Sequence, residues 1–332
     1  MTSPTEVSAT GSLELIAEGI WMLRSPMPVA KPHEVLTYLI EDASGDLHVV
    51  DPGWTTEDAW RALESAIASL GHSVADVASV AATHIHIDHF GLSHRLQQAS
   101  GATVRLGAAD IEVGRATRDA AQIEATLDAW SVPAERRDDL RPHFRAHPDL
   151  AFPDVQPLDG GELLPIPGRR VRAVATPGHT PGHHILVVED DRVVLLGDHL
   201  LPDSFPGIGL GGLDDPQPIE HYLRSLALVA ELDGLRACPG HERPFDGIAE
   251  RVLETAGHHL RRTREVAAIV AEAPELTVWE AAQRVTWSQG FDGLRGVRLR
   301  SALAQVTMHA AFASTELGRR AIADGFEAFL GH

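Results

Sequence analysis

Two rhythms of apolar residues run through the chain. Residues 13–23, 35–40 and 47–50 read as strands, and Ser44-Gly45-Asp46 is the turn that folds the third back on the second. Thr55 or Thr56 caps a helix running through Leu70, with Gly71 just past its end. Residues 77–87 then alternate small and β-branched side chains into a histidine cluster. A second run of strands covers 171–175, 184–188 and 193–196, with Glu189-Asp190-Asp191 turning between the last two. An amphipathic helix follows over 218–232. Strands followed by helices, twice over, predict an α/β chain with two sheets face to face and helices outside. After Pro244 the pattern becomes helical: 248–270, a short helix from its cap at Thr277 through Val285, 296–312 and 317–330. Residues 108–148 form a charged, helix-like insertion broken at Pro133 and Pro142. It either lines or caps the substrate cleft or is a solvated helical excursion; the sequence weights these equally.

The candidate chemistry sits where the strand pattern stops. His84-Ile85-His86-Ile87-Asp88-His89 packs three imidazoles and a carboxylate into six residues. On a strand His84, His86 and Asp88 would share a face, and on a turn they could converge on one point. These are the ligand types of water-activating zinc sites. Upstream stands Val49-Val50-Asp51-Pro52-Gly53. Downstream come Thr176-Pro177-Gly178-His179, Leu195-Leu196-Gly197-Asp198-His199 and Cys238-Pro239-Gly240-His241-Glu242. Each places a His or Asp in a tight turn after an apolar run, a rigid way to present a ligand at a sheet edge.

This ordered series resembles the metallo-β-lactamase-fold hydrolase superfamily, in its glyoxalase II, lactonase and lactamase-beta-like branch. The resemblance implies a four-layer αββα sandwich as the catalytic domain over residues 1–245. Residues 246–332 would be a helical extension covering the active-site side, and its helix order resembles the winged-helix tail of lactamase-beta-like endoribonucleases. By the superfamily pattern His84, His86 and His179 hold one metal, Asp88, His89 and His241 a second, and Asp198 bridges both. Two zinc ions are the implied cofactors, though such ligands also accept iron or manganese. They would share a hydroxide as the nucleophile, with Asp88 and Asp198 as the catalytic carboxylates. Asp51 is expected to hold the histidine loop through hydrogen bonds. At most one of His183 and His184 should point into the site, and His199 could support it from behind. Tyr222 is a candidate for holding a substrate carbonyl, as a tyrosine does in some lactonases, with plain packing the favoured reading. His94, His143, His147, His221 and His309 read as surface or core residues.

Departures from subfamily patterns narrow the activity. Class B β-lactamases usually carry Cys or Ser where Asp198 stands, and diiron flavoproteins carry Glu at the position of His86. The basic glutathione-binding pattern of glyoxalase II is not evident. Residues 246–332 hold ten arginines against eleven acids, so −18 of the total −19 lies on residues 1–245. Such an acidic half repels polyanions, whereas nucleic-acid enzymes show a basic footprint. A small acyl substrate, thioester or lactone, is therefore expected, with a coenzyme A or carrier-protein thioester as one form. A phosphodiesterase or endoribonuclease using Arg251, Arg261, Arg262 and Arg264 is the alternative, and a non-catalytic metal-binding protein is third. Cys238, the sole cysteine, excludes an internal disulfide and reads as a small buried residue. The N-terminus shows neither a basic nor an apolar signal-peptide region, and no apolar stretch approaches a membrane span; a cytoplasmic location is expected.

Overall fold

A computed structural model describes residues 11–29, 32–116, 119–144, 150–211 and 215–330. His147 lies outside these residues. Seven strands form one sheet in sequence order: β1 (Leu13–Ala17), β2 (Ile20–Pro26), β3 (Glu34–Glu41), β4 (Leu47–Val50), β5 (Val77–Ala81), β6 (Thr103–Gly107) and β7 (Val155–Leu158). Neighbours pair antiparallel up to β4 and parallel from β4 to β7. A second sheet runs in the order β11-β10-β9-β8, built from β8 (Val171–Ala175), β9 (His184–Val188), β10 (Val193–Gly197) and β11 (Arg236–Pro239). The run over 13–23 is thus two strands, turned at Gly19, whose φ of +69° suits glycine. Strands β6 and β7 were not anticipated.

The alternation of side chains fixes the layers. Met22, Leu36, Tyr38, Ile40 and Val50 pack between the sheets against Leu186, Val188, Leu195 and Cys238. Leu23, Leu39 and Val49, of opposite parity, face out. They pack under α1 (Glu57–Ser69) and α3 (Ser93–Ser100), the short α2 (Ile87–Phe90) leading into α3. Thr56 caps α1, its hydroxyl accepting from the Ala59 N–H at 3.3 Å. On the other side Ile185, Val187, Val194 and Leu196 face outward.

The insertion holds α4 (Ala108–Arg115), α5 (Ala120–Ala129) and α6 (Ala134–Leu140). Later come α7 (Pro218–Ala230), α8 (Ile248–Glu272), α9 (Val278–Arg284), α10 (Gly296–Ser314) and α11 (Glu316–Asp324). Helices α7 and α8 form the outer layer on the second sheet, through Ile219, Leu223 and Leu226 and through Ile248, Val252 and Ala256. The αββα sandwich is thereby complete, and part of its fourth layer comes from beyond residue 245. Ile123, Leu127 and Trp130 of the insertion share a separate core with Trp279, Leu299 and Leu303 of α9 and α10. The insertion is therefore packed on the C-terminal helices, not a solvated excursion. Among described residues after 245 there are helices and no strand, so the likeness to a winged-helix tail ends at helix order. No helix among the described residues is long and apolar enough to cross a membrane.

Candidate metal centre

Every candidate ligand follows the end of a strand. His84 and His86 sit in the loop after β5, and Asp88 and His89 on α2. His179 lies between β8 and β9, Asp198 directly after β10 and His241 just after β11. Strand ends are held by ladder hydrogen bonds, so they position side chains tightly.

The hydrogen bonds decide which ring nitrogens face inward. Asp51 Oδ1 accepts from the Thr83 N–H at 2.7 Å, and Asp51 Oδ2 from the Thr83 hydroxyl at 2.8 Å. With its proton so committed, Thr83 Oγ1 must accept from His84 Nδ1–H at 3.0 Å, leaving the lone pair of His84 on Nε2. His179 Nδ1–H donates to the Gly207 carbonyl at 2.7 Å, which leaves its lone pair on Nε2. His86 Nε2 faces the Leu210 carbonyl at 3.5 Å, leaving Nδ1 inward. These three inward nitrogens converge: His84 Nε2 is 2.9 Å and His179 Nε2 3.1 Å from His86 Nδ1. Lone pairs that close repel unless a cation stands among them. The spacing is near the ~3.3 Å edge of a tetrahedron with Zn–N bonds of ~2.0–2.1 Å.

A second group lies alongside. His89 Nδ1 donates to Asp51 Oδ2 at 2.8 Å, and His241 Nδ1 to the Glu34 carbonyl at 2.8 Å. His241 Nε2 is 3.4 Å from Asp88 Oδ2, and His89 Nε2 3.8 Å from the same oxygen. Asp198 stands between the groups. Its Oδ1 is 3.5 Å from both His89 Nε2 and His241 Nε2, and its Oδ2 is 3.7 Å from His179 Nε2. Three overlapping sets could each hold a metal ion: His84, His86 and His179; His84, His89 and Asp198; and Asp88, His89 and His241. Among the described residues, buried His89 Nε2 and Asp198 Oδ1 find no hydrogen-bond partner, as expected of atoms that would ligate a cation. The donor set fits the metals that the resemblance implies.

Charge separates the two sides. Burial, then neighbouring imidazoles, hold His84 well below its usual range and lower His179 to about 4. Burial also opposes protonation of His89, but Asp198, Asp51 and Asp88 outweigh it and raise His89 to about 10. Burial opposes ionisation of Asp88 as well, yet His89 and His241 bring it below the usual carboxylate range. For Asp198 burial likewise gives way to His241, His89 and His179, and the net shift is downward.

Sequence reasoning missed Asp110. Fully buried, it accepts from the Ile85 N–H at 2.9 Å, the Thr180 hydroxyl at 2.8 Å and the Gly182 N–H at 2.7 Å. It ties the His84–His86 loop to the His179 loop. Its one signal was a lone carboxylate in the apolar opening of α4. The remaining residues fall into simpler places. His183 stacks on His84 with ring centroids 5.2 Å apart, while His184 Nδ1 bonds the Gly182 carbonyl, so one of the pair reaches the site. His199 is buried beside Tyr222, whose hydroxyl donates to the His199 carbonyl at 2.6 Å and is not free for a substrate. His221 pairs with Asp215 at 3.0 Å, and buried His309 meets Thr263 at 2.9 Å. Most of the C-terminal arginine cluster is tied internally. Arg251 bonds two backbone carbonyls and Glu254, Arg262 bonds Glu265 and the Thr286 carbonyl, and Arg264 bonds the Ile322 carbonyl, leaving Arg261 exposed.

Comparison with known proteins agrees with this fold. The family model described as the metallo-beta-lactamase superfamily matches residues 30–241. The probable metallo-hydrolase YqjP of Bacillus subtilis is 27% identical over 284 residues, 82% of this chain and 86% of that protein. An atrochrysone carboxyl ACP thioesterase of Aspergillus fumigatus is 29% identical over 37% of this chain and 36% of its own length. A beta-lactamase-like protein 2 homolog of Caenorhabditis elegans is matched over 47% of its length, so the chain spans less than half of these last two. A metallo-beta-lactamase family protein of Thermus thermophilus superposes with a TM-score of 0.71 at 29% identity, covering 90% of this chain and 94% of that one.

Proposed function

The chain belongs to the metallo-beta-lactamase superfamily, and from that premise we propose that it is a binuclear metal-dependent hydrolase of small acyl substrates, a thioester or a lactone. The observation that carries this reading is the convergence of three imidazole lone pairs, with His84 Nε2 and His179 Nε2 both within 3.1 Å of His86 Nδ1. Zinc is the proposed metal, with iron or manganese able to take its place. Bound there, the ions supply a water activated at neutral pH and polarise the bond under attack.

The chain's own groups prepare that chemistry. His84 and His179 stay neutral at pH 7, so their lone pairs need no deprotonation. Asp88 and Asp198 stay ionised; Asp198 couples the two groups, and Asp88 orients the attacking water. Asp51, Thr83 and Asp110 fix the loops. Residues 1–245 carry the ligands in this reading, and residues 246–332 complete the outer layer and back the insertion. The thioester preference draws support from the Aspergillus relative's name and from the internal engagement of Arg251, Arg262 and Arg264, which leaves little for a polyanion.

Initial rates of the zinc-loaded protein on an acyl thioester and a lactone, against a phosphodiester and a short RNA, test the proposal. Turnover of the first pair is expected; turnover of the second pair alone would overturn it.

A further inference from the structure

The loop over residues 201–211 touches both the metal centre and the C-terminal helices. Toward the centre, its Gly207 carbonyl accepts from His179 Nδ1 at 2.7 Å, and its Leu210 carbonyl faces His86 Nε2 at 3.5 Å. The Gly209 and Leu210 N–H groups donate to the Gly178 and His179 carbonyls, each at 2.8 Å. Two of the three histidines in the first group are thus oriented by this loop. The second group is not: His89 is oriented by Asp51 and His241 by the Glu34 carbonyl. The loop meets the second group's segment through Asp203, whose N–H donates to Glu242 Oε2 at 2.7 Å and whose Oδ1 accepts from Arg243 Nη2 at 2.6 Å, and neither bond touches the His241 ring.

On its far side the loop is strapped to α8 and α10. Arg251, only 9% exposed, donates from Nε to the Leu201 carbonyl at 2.6 Å and from Nη2 to the Ser204 carbonyl at 2.5 Å. Its third arm is anchored on Glu254 Oε2 at 2.8 Å. Phe205 lies between the Arg251 guanidinium, 4.6 Å from its ring centre, and the His258 ring, stacked at 4.0 Å and 12°. Gly209 abuts α10 so closely that a Cβ there would lie 2.4 Å from Met308 Sδ. A planar guanidinium holding two carbonyls of one loop fixes both position and rotation, which a point charge cannot.

Resting on the metal-centre reading above, we propose that Arg251 is a positioning residue for the His84, His86 and His179 group, acting from the C-terminal extension through the loop over 201–211. Groups that orient a ligand histidine typically change metal affinity about 10–100-fold when lost. Arg251→Met should therefore weaken one zinc ion by about 10-fold or more and leave the other near its wild-type affinity.

The test is a zinc titration with cobalt spectroscopy on the full chain. Variants are Arg251→Met, Arg251→Lys and Arg264→Met, the last as a control because among the described residues Arg264 bonds the Ile322 and Ala321 carbonyls of α11 and not the loop. The expected result is selective weakening in Arg251→Met with an altered cobalt d–d spectrum, partial recovery in Arg251→Lys and no change in Arg264→Met. Equal weakening of both ions, or two ions bound as in wild type, overturns the proposal. Should Arg251→Met fail to fold, Phe205→Ala reads the same strap: selective weakening of one ion supports the proposal, and unchanged or uniform binding overturns it. A wild-type chain that binds no metal would instead overturn the metal-centre reading itself.

Discussion

Asp198 Oδ2 lies 3.7 Å from His179 Nε2, while its other oxygen lies 3.5 Å from His241 Nε2. One carboxylate thus faces two sets of imidazoles with one oxygen each, so its loss should be felt on both sides. Asp198→Ala is expected to lower bound metal and to reduce kcat/KM by more than about 100-fold, ~2.7 kcal/mol of transition-state stabilisation. Metal analysis and steady-state kinetics on the acyl substrate check this; near-normal turnover would remove Asp198 from between the ions.

Asp51 acts at one remove. Its two oxygens hold Thr83 and His89, and through Thr83 they set the tautomer of His84. Asp51→Asn retains the shape but replaces one acceptor by a donor. A loss of about 10–100-fold in metal affinity is expected, read by competition with a chromophoric chelator. Unchanged affinity would show that the Asp51 bonds are incidental.

The site should also couple metal, protons and stability. In protein stripped by a chelator, His89 titrates at about 10, above the ~6.5 of an unfolded histidine. A raised folded value contributes stability that is full below ~6.5 and is lost as pH climbs toward 10. The stripped protein should accordingly lose stability across that window, by denaturant midpoint. Zinc must displace the His89 proton, so binding at pH 8 should release protons and tighten as pH rises. Calorimetry in buffers of different ionisation enthalpy measures this, and zero proton release would contradict it.

Cys238 is sealed between the sheets, and burial raises its thiol to about 12. A thiol-directed reagent at pH 8 should modify the native protein no faster than global opening allows, and should react at once in denaturant. Rapid native modification would mean that the sheets separate locally.

Much of the sandwich was legible because strand parity has only two solutions. Val187 and Val188 point to opposite layers, and a buried sheet must separate them. The candidate ligands stood out because His and Asp after apolar runs have few structural uses in such density, and the structure brings these side chains together. Asp110 was hidden because it acts on backbone groups of Ile85 and Gly182, which no side-chain pattern records. The insertion's partner was equally hidden: Trp130 and Trp279 share one core although nearly 150 residues separate them. The C-terminal arginines looked available because sequence shows charge and not the carbonyls that consume it. Strands β6 and β7 were missed because the glycines and prolines in and around them, Gly101 and Gly107 for one and Pro153 and Pro157 for the other, read as loop.

The most direct test of the central claim is anomalous diffraction from crystals of the zinc-loaded protein at the zinc edge. Two peaks are predicted, one beside His84, His86 and His179 and one beside Asp88, His89 and His241, with Asp198 between them. A single peak, or none, would contradict a binuclear centre.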